Sequence, residues 1–479
     1  MGRNVVLGLL ASVLLAPQCR AASGASAAAA IDRAIVAVGL NTVGAGVRTA
    51  SATGVLSYAY QSDRMYPPYL WTSSQTRSAV DWQRGLHRIE QGTSPNIVSY
   101  ISDSTRRALV SPRGAQMVPL RATSSTDERA MDPWIVLADW HGASDAHADG
   151  ECMYRDYWRT VVSRKTRSGV ERLFLDPKSG IPVKLERREP HDLWGDVLVE
   201  YLWSIWSPVK GSHAIAPEFA YRIVDGEVDD QRDINAYALV PRDSAGPWAI
   251  PDGAPTAPTV TYAQSDTVRV SANTFLLATR AYRNVVTLQR DTVFILDAQT
   301  SSERARSDSV WIGKLFPGRH PIALVVTDLA WPHISGVRYW VANGATVMSH
   351  PASRDFLTRV VEHKWTLNPD LLEQRRARVK FVFRPTGEAT NLAGGAIKLR
   401  PIDGIGSEGA LMAFIPGDSF LYAGDYIQPG GPDGFSATYA REVAAAVRRA
   451  GFVPERFAAM HTPLTDWKML PRFTGEGQP

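Results

Sequence analysis

The chain has 479 residues, of which 44% are apolar, 21% charged and 9% aromatic, the balance of a globular protein rather than of a disordered, collagen-like or coiled-coil one. Its formal net charge is only +4, from basic residues scattered along the chain, and nucleic-acid phosphates require a concentrated basic face that is absent here. A chain of this length divides into two or more cores of roughly 100–200 residues each.

Residues 1–22 have the pattern of an export leader. Arg3 gives a thin positive start, residues 5–16 are apolar, and Ala21 and Ala22 offer small residues for cleavage. The apolar run is too short to cross a bilayer core about 30 Å thick, and no later run reaches spanning length. Cys19 does not read as a lipid-anchor site, because Pro17 and Gln18 stand where small residues are needed. Removing the leader takes away Arg3, Arg20 and no acid, which lowers the net charge from +4 to +2. It also leaves Cys152 as the sole cysteine, so the expected mature chain has no internal disulfide and Cys152 is a half-buried small side chain. The expected location is periplasmic or extracellular.

Residues 30–240 read as a β-rich domain. Val183, Leu185 and Arg187 alternate with Lys184, Glu186 and Arg188, a two-residue period that turns the first set toward a core and the second toward water. Ahead of them, residues 173–175 and the turn Asp176-Pro177-Lys178-Ser179-Gly180 signal a hairpin. Further on, Val197, Val199, Tyr201 and Trp203 share one face. Nine of the 14 tryptophans lie before residue 250, and large aromatics on successive strands make either the wall of an apolar cavity or a thick core, with core packing preferred. His141 and His147, with Asp145 and Asp149, have the spacing of a weak metal clip, although an exposed polar loop fits them better.

The phrase Leu175-Asp176-Pro177-Lys178-Ser179-Gly180-Ile181-Pro182 between hydrophobic strands resembles the curved antiparallel sheets of periplasmic lipoprotein-carrier proteins, over about 60 residues. That resemblance implies an open half-barrel with a greasy inner face and an apolar ligand.

Residues 241–258 carry Pro241, Pro247, Pro251, Pro255 and Pro258 with Gly246 and Gly253. Prolines remove backbone donors and stop helices, so this stretch reads as a stiff linker between two domains. Beyond it, strands alternate with helices, the pattern of a layered α/β core. Residues 293–296, 322–326 and 345–348 are buried-type strands. Thr300-Ser301-Ser302-Glu303 is a capping-box pattern opening a helix that Pro317 closes. Helices are also expected over 334–343 and 355–364. Pro416-Gly417-Asp418 turns one strand into residues 420–423, and Tyr439, Val443, Val447 and Ala450 stripe a last long helix ending at Gly451.

Asp297 after its strand, the loop 327–333, Gly336, the strand into His350, Gly424-Asp425 and His461 together resemble the metallo-β-lactamase fold over residues 260–470. The resemblance implies a four-layer αββα sandwich whose loops hold one or two zinc ions in a His-x-His-x-Asp-His segment, a further His, an Asp and a final His. This chain departs from that pattern. In Asp328-Leu329-Ala330-Trp331-Pro332-His333 only the last His is retained; Asp328, Ala330 and Pro332 replace the other three. The further His aligns with Gly406, and no histidine occurs between residues 364 and 460. All three imidazoles of the first zinc site are therefore gone. His333, Asp425 and His461 keep three of the four ligands of the second, with Asp328 a candidate fourth. Two imidazoles and a carboxylate are a reasonable set for one Zn²⁺.

Hydrolysis in that family needs an acidic residue to hold the attacking water, and Pro332 has no such side chain. No catalytic residue is assigned, and no Gly-rich phosphate cradle or serine-nucleophile elbow occurs. His350 is expected to pack, and His363 to be solvated. The sequence thus reads as an exported hydrolase-like protein with an eroded metal site, weakly active or a pseudoenzyme, holding one zinc ion or none. A mononuclear hydrolase using His333, Asp425 and His461, and a carrier of an apolar ligand on the amino-terminal sheet, stand as alternatives.

Overall fold

The computed structural model describes residues 19–20, 26–57, 71–91, 97–119, 127–166, 169–245, 248, 250, 252–256, 264–279, 282–404, 409–428 and 435–475. The apolar run 5–16, Ala21, Ala22 and Gly406 lie outside them.

The amino-terminal strands form one 14-stranded sheet in which every pairing is antiparallel. The expected hairpin joins Gly169–Leu175 to Pro182–His191, with Asp176 Oδ1 accepting the Lys178 and Ser179 amides across the turn. On one face, Val197, Val199, Tyr201 and Trp203 are buried as the alternation requires. They join a cluster with Trp134 and Trp140 of the helix Pro133–Trp140 and with Ile31, Ala34 and Ile35 of the helix Ala27–Ala37. The aromatic face is thus filled by this chain's own helices, so the core-packing alternative holds for these side chains.

The other face of the strand Pro182–His191 is not solvated as expected. Lys184 is buried, its Nζ 2.6 Å from Glu186 and 2.9 Å from Glu200 and seated over the rings of Tyr154 and Phe174. Arg187, on the helix side, pairs with Asp127 at 2.9 Å and Glu171 at 3.1 Å. At Lys184 and Arg187 both faces of this strand are covered, whereas Arg188 is exposed; a buried charge is tolerated only with hydrogen-bonding partners. Alternation cannot report that.

Cys19 and Cys152 form a disulfide, which overturns the expectation of a chain without one. Cys19 and Arg20 add a short edge strand to His147–Tyr154, Arg20 pairs with Glu151 at 2.6 Å, and its guanidinium lies 4.2 Å over the Trp158 ring. Cys152 is buried. Alkylation of the folded chain without reductant is therefore expected to label no cysteine. Cys152→Ser should lower stability by about 2–4 kcal/mol in chemical denaturation, given the long loop that the bond closes.

Residues of the expected stiff linker pack against amino-terminal strands. Trp248 packs with Val47, Ala79 and Leu86, Ile250 packs with Ile101 and Ala108, and Met117 donates its amide to the Pro255 carbonyl at 2.8 Å.

The carboxy-terminal strands form two sheets whose spatial order follows the chain. The first runs Asp266–Arg269, Thr274–Ala278, Arg283–Gln289, Thr292–Leu296, Ile322–Val325, Thr346–Ser349 and Val382–Pro385, antiparallel up to Thr292–Leu296 and parallel after it. The second has six strands from Thr390–Leu392 to Thr465–Asp466. Its one parallel pair, Phe420–Tyr422 with Arg456–Ala458, is bridged by the helix Phe435–Ala450. Val285, Phe294, Leu296 and Val325 of the first sheet share a core with Leu399, Ala413, Phe420 and Tyr422 of the second. Opposite faces pack on helices: Val286, Ile295 and Leu324 with Ala305, Trp340 and Leu357, and Met412, Leu421 and Phe457 with Tyr439, Val443 and Val447.

The helix cap differs by one residue from the sequence pattern: Ser301, not Thr300, is the N-cap of Ser302–Leu315, its Oγ accepting the Arg304 amide at 3.1 Å. The helix expected over 334–343 is split into Trp331–Ile334 and Val337–Ala342.

The two halves meet through the hairpin tip around Gly195. Asp196 accepts the Thr366 and Leu367 amides at 2.7 and 2.9 Å and donates its own amide to the Lys364 carbonyl at 2.8 Å. Gly195 has a φ of 69°, and a Cβ there would sit 2.2 Å from Trp365, so only glycine allows this approach. His363, expected to be solvated, is drawn into the contact: its Nε2 lies 3.4 Å from Asp225, and its ring meets the edge of Trp194.

Candidate metal centre

Four loops that follow strands converge at one end of the paired sheets, where strand carboxyl ends leave a crevice. Asp297 follows Thr292–Leu296, residues 327–333 follow Ile322–Val325, Asp425 follows Phe420–Tyr422, and His461 follows Arg456–Ala458. The parallel arrangement of these strands is what brings residues 36–128 positions apart in sequence to a common rim.

Asp297 fastens this end. It is fully buried with a φ of 68°, and its carboxylate accepts the Thr327 amide at 2.7 Å, the Thr327 hydroxyl at 2.6 Å and the Tyr422 hydroxyl at 3.0 Å. Burial, with the nearby negative charge of Asp328, pushes its carboxyl up to about 7. Tyr422 belongs to the second sheet and Thr327 to the loop after the strand Ile322–Val325 of the first, so this one side chain ties the two together.

Gly424 precedes Asp425 with a φ of 55°, and a Cβ would stand 2.5 Å from the Thr327 hydroxyl oxygen. A side chain there would strain the backbone and displace the loop.

His333, Asp425 and His461 each offer one ligand atom, and these three atoms lie within 4.8 Å of one another. Asp425 Oδ1 is 3.3 Å from His461 Nε2 and 3.9 Å from His333 Nε2. Ligands around one zinc ion, with bonds near 2.0–2.2 Å, stand roughly 3–4 Å apart. His333 is buried, Asp425 is nearly so, and the His461 side chain is 27% exposed. The Tyr282 ring sits 4.8 Å from the His461 ring and 6.4 Å from that of His333, closing one side.

Asp328 touches His333 from its far side and is not one of the three. Its Oδ1 accepts the Ala330 amide at 3.0 Å and faces His333 Nδ1 at 2.7 Å. The carboxylate oxygen is an acceptor, so Nδ1 carries the proton and Nε2 keeps its lone pair toward Asp425 and His461. Asp328, the expected fourth member, is thus hydrogen-bonded to His333 and lies outside the three-residue group. Its distance from the cluster follows from the Asx-type turn to Ala330, which bends the carboxylate back under the loop. Ala330 is buried and brings no donor atom.

Other sequence candidates do not assemble. Among the described residues, the His333–Asp425–His461 group is the only cluster of three or more such side chains that could hold an ion. His141 lies 3.7 Å from Asp32, Asp149 accepts from Ser163, and His147 is exposed at the start of the strand His147–Tyr154, so the four side chains form no cluster and the expected polar loop covers only the stretch before that strand. His350 is half-buried and accepts the Ala352 amide on Nδ1. The reading of the sequence passed over Tyr282 and Arg283; both stand at the end of a hairpin with no motif to mark them, and the alternation of Arg283–Gln289 was the only available signal.

No protein-family model matches the chain, and no curated protein does. Among solved structures, it is similar to the DIM-1 metallo-β-lactamase at 14% identity, over 44% of this chain and 96% of that one, with a TM-score of 0.34. A metallo-β-lactamase from Hirschia baltica is similar at 12% identity, over 45% and 99%, with a TM-score of 0.34. The metallo-β-lactamase FIM-1 from Pseudomonas aeruginosa, in its mono-zinc form, is similar at 11% identity, over 44% and 94%, with a TM-score of 0.35.

Proposed function

We propose that the carboxy-terminal half is a four-layer αββα domain of the metallo-β-lactamase type that keeps a single cation centre at His333, Asp425 and His461. One observation carries this reading: three ligand atoms from three separate loops lie within 4.8 Å of one another, at the strand ends where that fold places its chemistry. The donor set fits zinc, since two imidazole nitrogens and one carboxylate oxygen match its preference and leave a coordination position open. A cation bound there supplies Lewis-acid polarisation of a scissile carbonyl or phosphoryl oxygen.

The chain's own residues set the limits of that chemistry. Asp328 holds the proton on His333 Nδ1 and so keeps Nε2 available as a ligand. The loop offers no carboxylate between Asp328 and His333 to position a nucleophile, so weak hydrolysis or binding without turnover is the expected behaviour. Export is part of the proposal, because the Cys19–Cys152 disulfide suits an oxidising compartment. A leader compatible with that bond is cut before Cys19 rather than after Ala22.

Metal analysis of the purified full chain after dialysis against Zn²⁺ tests this reading. About one equivalent per chain is expected, and a value below about 0.1 removes the reading. Asp328→Asn should weaken Zn²⁺ binding about 10- to 100-fold while leaving the fold intact by circular dichroism, as changes behind a metal-bound histidine generally do.

A further inference from the structure

The strand Gly46–Ser57 turns Arg48, Ala50 and Ala52 to the helix side of the amino-terminal sheet, since alternate strand residues share a face. Ser78 on one neighbouring strand and Tyr237 on the other stand directly opposite Ala50. The segment from Glu128 to Pro133 borders the same space. Together they enclose a trough of about 470 Å³, mouth included, with a floor of small residues between two charged ends.

Arg48 marks one end. It is 2% exposed, its guanidinium lies 4.8 Å from the Trp134 ring and 5.0 Å from the Tyr237 ring, and Nη2 donates to Asp132. Nε and Nη1 are buried and have no acceptor among the described residues. A buried donor without a partner is unfavourable, and both of these belong to a group that lines the trough.

The far end is acidic. Arg232, opposite Gly54 across the strands, holds Glu128 at 2.9 Å and Asp230 at 2.8 Å, so two carboxylates face one guanidinium. Burial pushes the Glu128 carboxyl up against the pull of Arg232, and the Asp230 charge adds to the push. An ammonium group arriving beside Glu128 would relieve that excess of negative charge.

The two ends therefore call for opposite groups: an oxygen acceptor, best a carboxylate, at Arg48 and an amine at Glu128. An acyl chain, which the lipoprotein-carrier resemblance implies, would leave Nε and Nη1 of Arg48 as unpaired as before.

We propose that this trough is a binding site for a small zwitterion of the amino-acid class, its carboxylate received by Arg48 and its amine by Glu128. The site lies in the amino-terminal half and does not depend on the cation-centre reading.

The test is calorimetric titration of the full chain with three zwitterions of increasing length: glycine, γ-aminobutyrate and ε-aminocaproate. Butyrate and butylamine, each lacking one charged end, and decanoate, an acyl chain, serve as counterparts. At least one zwitterion should bind about tenfold or more tightly than any counterpart, and the best length reports the gap between the two ends. Ala52→Leu, which fills the floor, should abolish binding, and Glu128→Gln should weaken it about tenfold or more. Arg48→Gln should weaken it as much, but it also strips Asp132 of its partner at the cap of the helix Pro133–Trp140. Where circular dichroism shows that variant unfolded, Ala52→Leu and Glu128→Gln carry the test. Failure of wild type to bind any zwitterion, binding undiminished in Ala52→Leu or Glu128→Gln, or a counterpart that binds as tightly as the zwitterions overturns the proposal.

Discussion

Alanine at His461 is expected to reduce Zn²⁺ affinity by about a hundredfold or more while leaving thermal stability nearly unchanged; alanine at His333 should cost the same affinity and also lower stability. The two differ because of what stands behind each ring. The His461 side chain is 27% exposed, so its removal opens space that water fills. His333 is buried, with Nδ1 at 2.7 Å from Asp328 Oδ1 and its carbonyl taken by the Ala298 amide. Removing that ring leaves the Asp328 carboxylate buried without its proton donor, which costs roughly 1–3 kcal/mol. Calorimetric Zn²⁺ titration and thermal melts of the metal-free proteins, taken together, separate the two roles. Undiminished Zn²⁺ binding by His461→Ala would show that the centre is not where these three side chains meet.

Two buried histidines should withdraw stability from this protein in acid, opposed by Asp297, whose carboxyl is pushed up to about 7 and so favours the folded chain as pH falls toward 4. Burial, reinforced by Arg222, holds His191 down to about 3, and burial likewise holds His87 down to about 4. His191 also accepts the Leu193 and Trp194 amides on Nδ1, at 3.1 and 3.2 Å, an arrangement only a neutral ring can make. In the unfolded chain both rings take up a proton near 6.5, whereas in the folded chain they stay neutral. The unfolded state therefore binds more protons below pH 6.5, and stability falls as pH drops, by about 1.4 kcal/mol per unit for each ring until the folded values are reached. At pH 4.5 the two together cost roughly 5 kcal/mol, a large part of the stability of an ordinary domain. His191→Asn, whose side-chain oxygen can accept the same amides, should flatten the urea-midpoint profile between pH 6.5 and 4.5. A profile as steep as wild type would assign the acid sensitivity elsewhere.

Much of the carboxy-terminal half was legible because its signals are local. Continuous apolar runs at 293–296 and 322–326, a Ser-rich cap, Pro317 and the stripe from Tyr439 to Ala450 each report a period or a chain break that the backbone must obey. Boundaries moved by a residue where two caps competed, as with Thr300 and Ser301. The amino-terminal sheet was legible as strands, but its pairing was not: Gly46–Ser57 lies beside Glu227–Pro241 although about 180 residues separate them. The two helices that fill its aromatic face carry no sequence mark of where they dock.

At the candidate centre, His333, Asp425 and His461 were singled out by residue type and chain order, and the structure brings them within 4.8 Å of one another. The place of Asp328 was not legible, because a carboxylate five residues before a histidine can either stand beside it or hold its far nitrogen, and the choice depends on a turn that alternation does not encode. Lys184 and Cys19 failed expectation for a related reason: each is decided by partners on distant strands, Glu200 and Cys152.

By itself the sequence determined the strand and helix periods and the order of the landmark residues, since each is a property of neighbouring positions along the chain. Only the tertiary structure decided that His333, Asp425 and His461 converge and that Asp328 stands behind His333. Distances between side chains on separate loops are set by how sheets stack and strands pair, and those long-range contacts leave no local period to read.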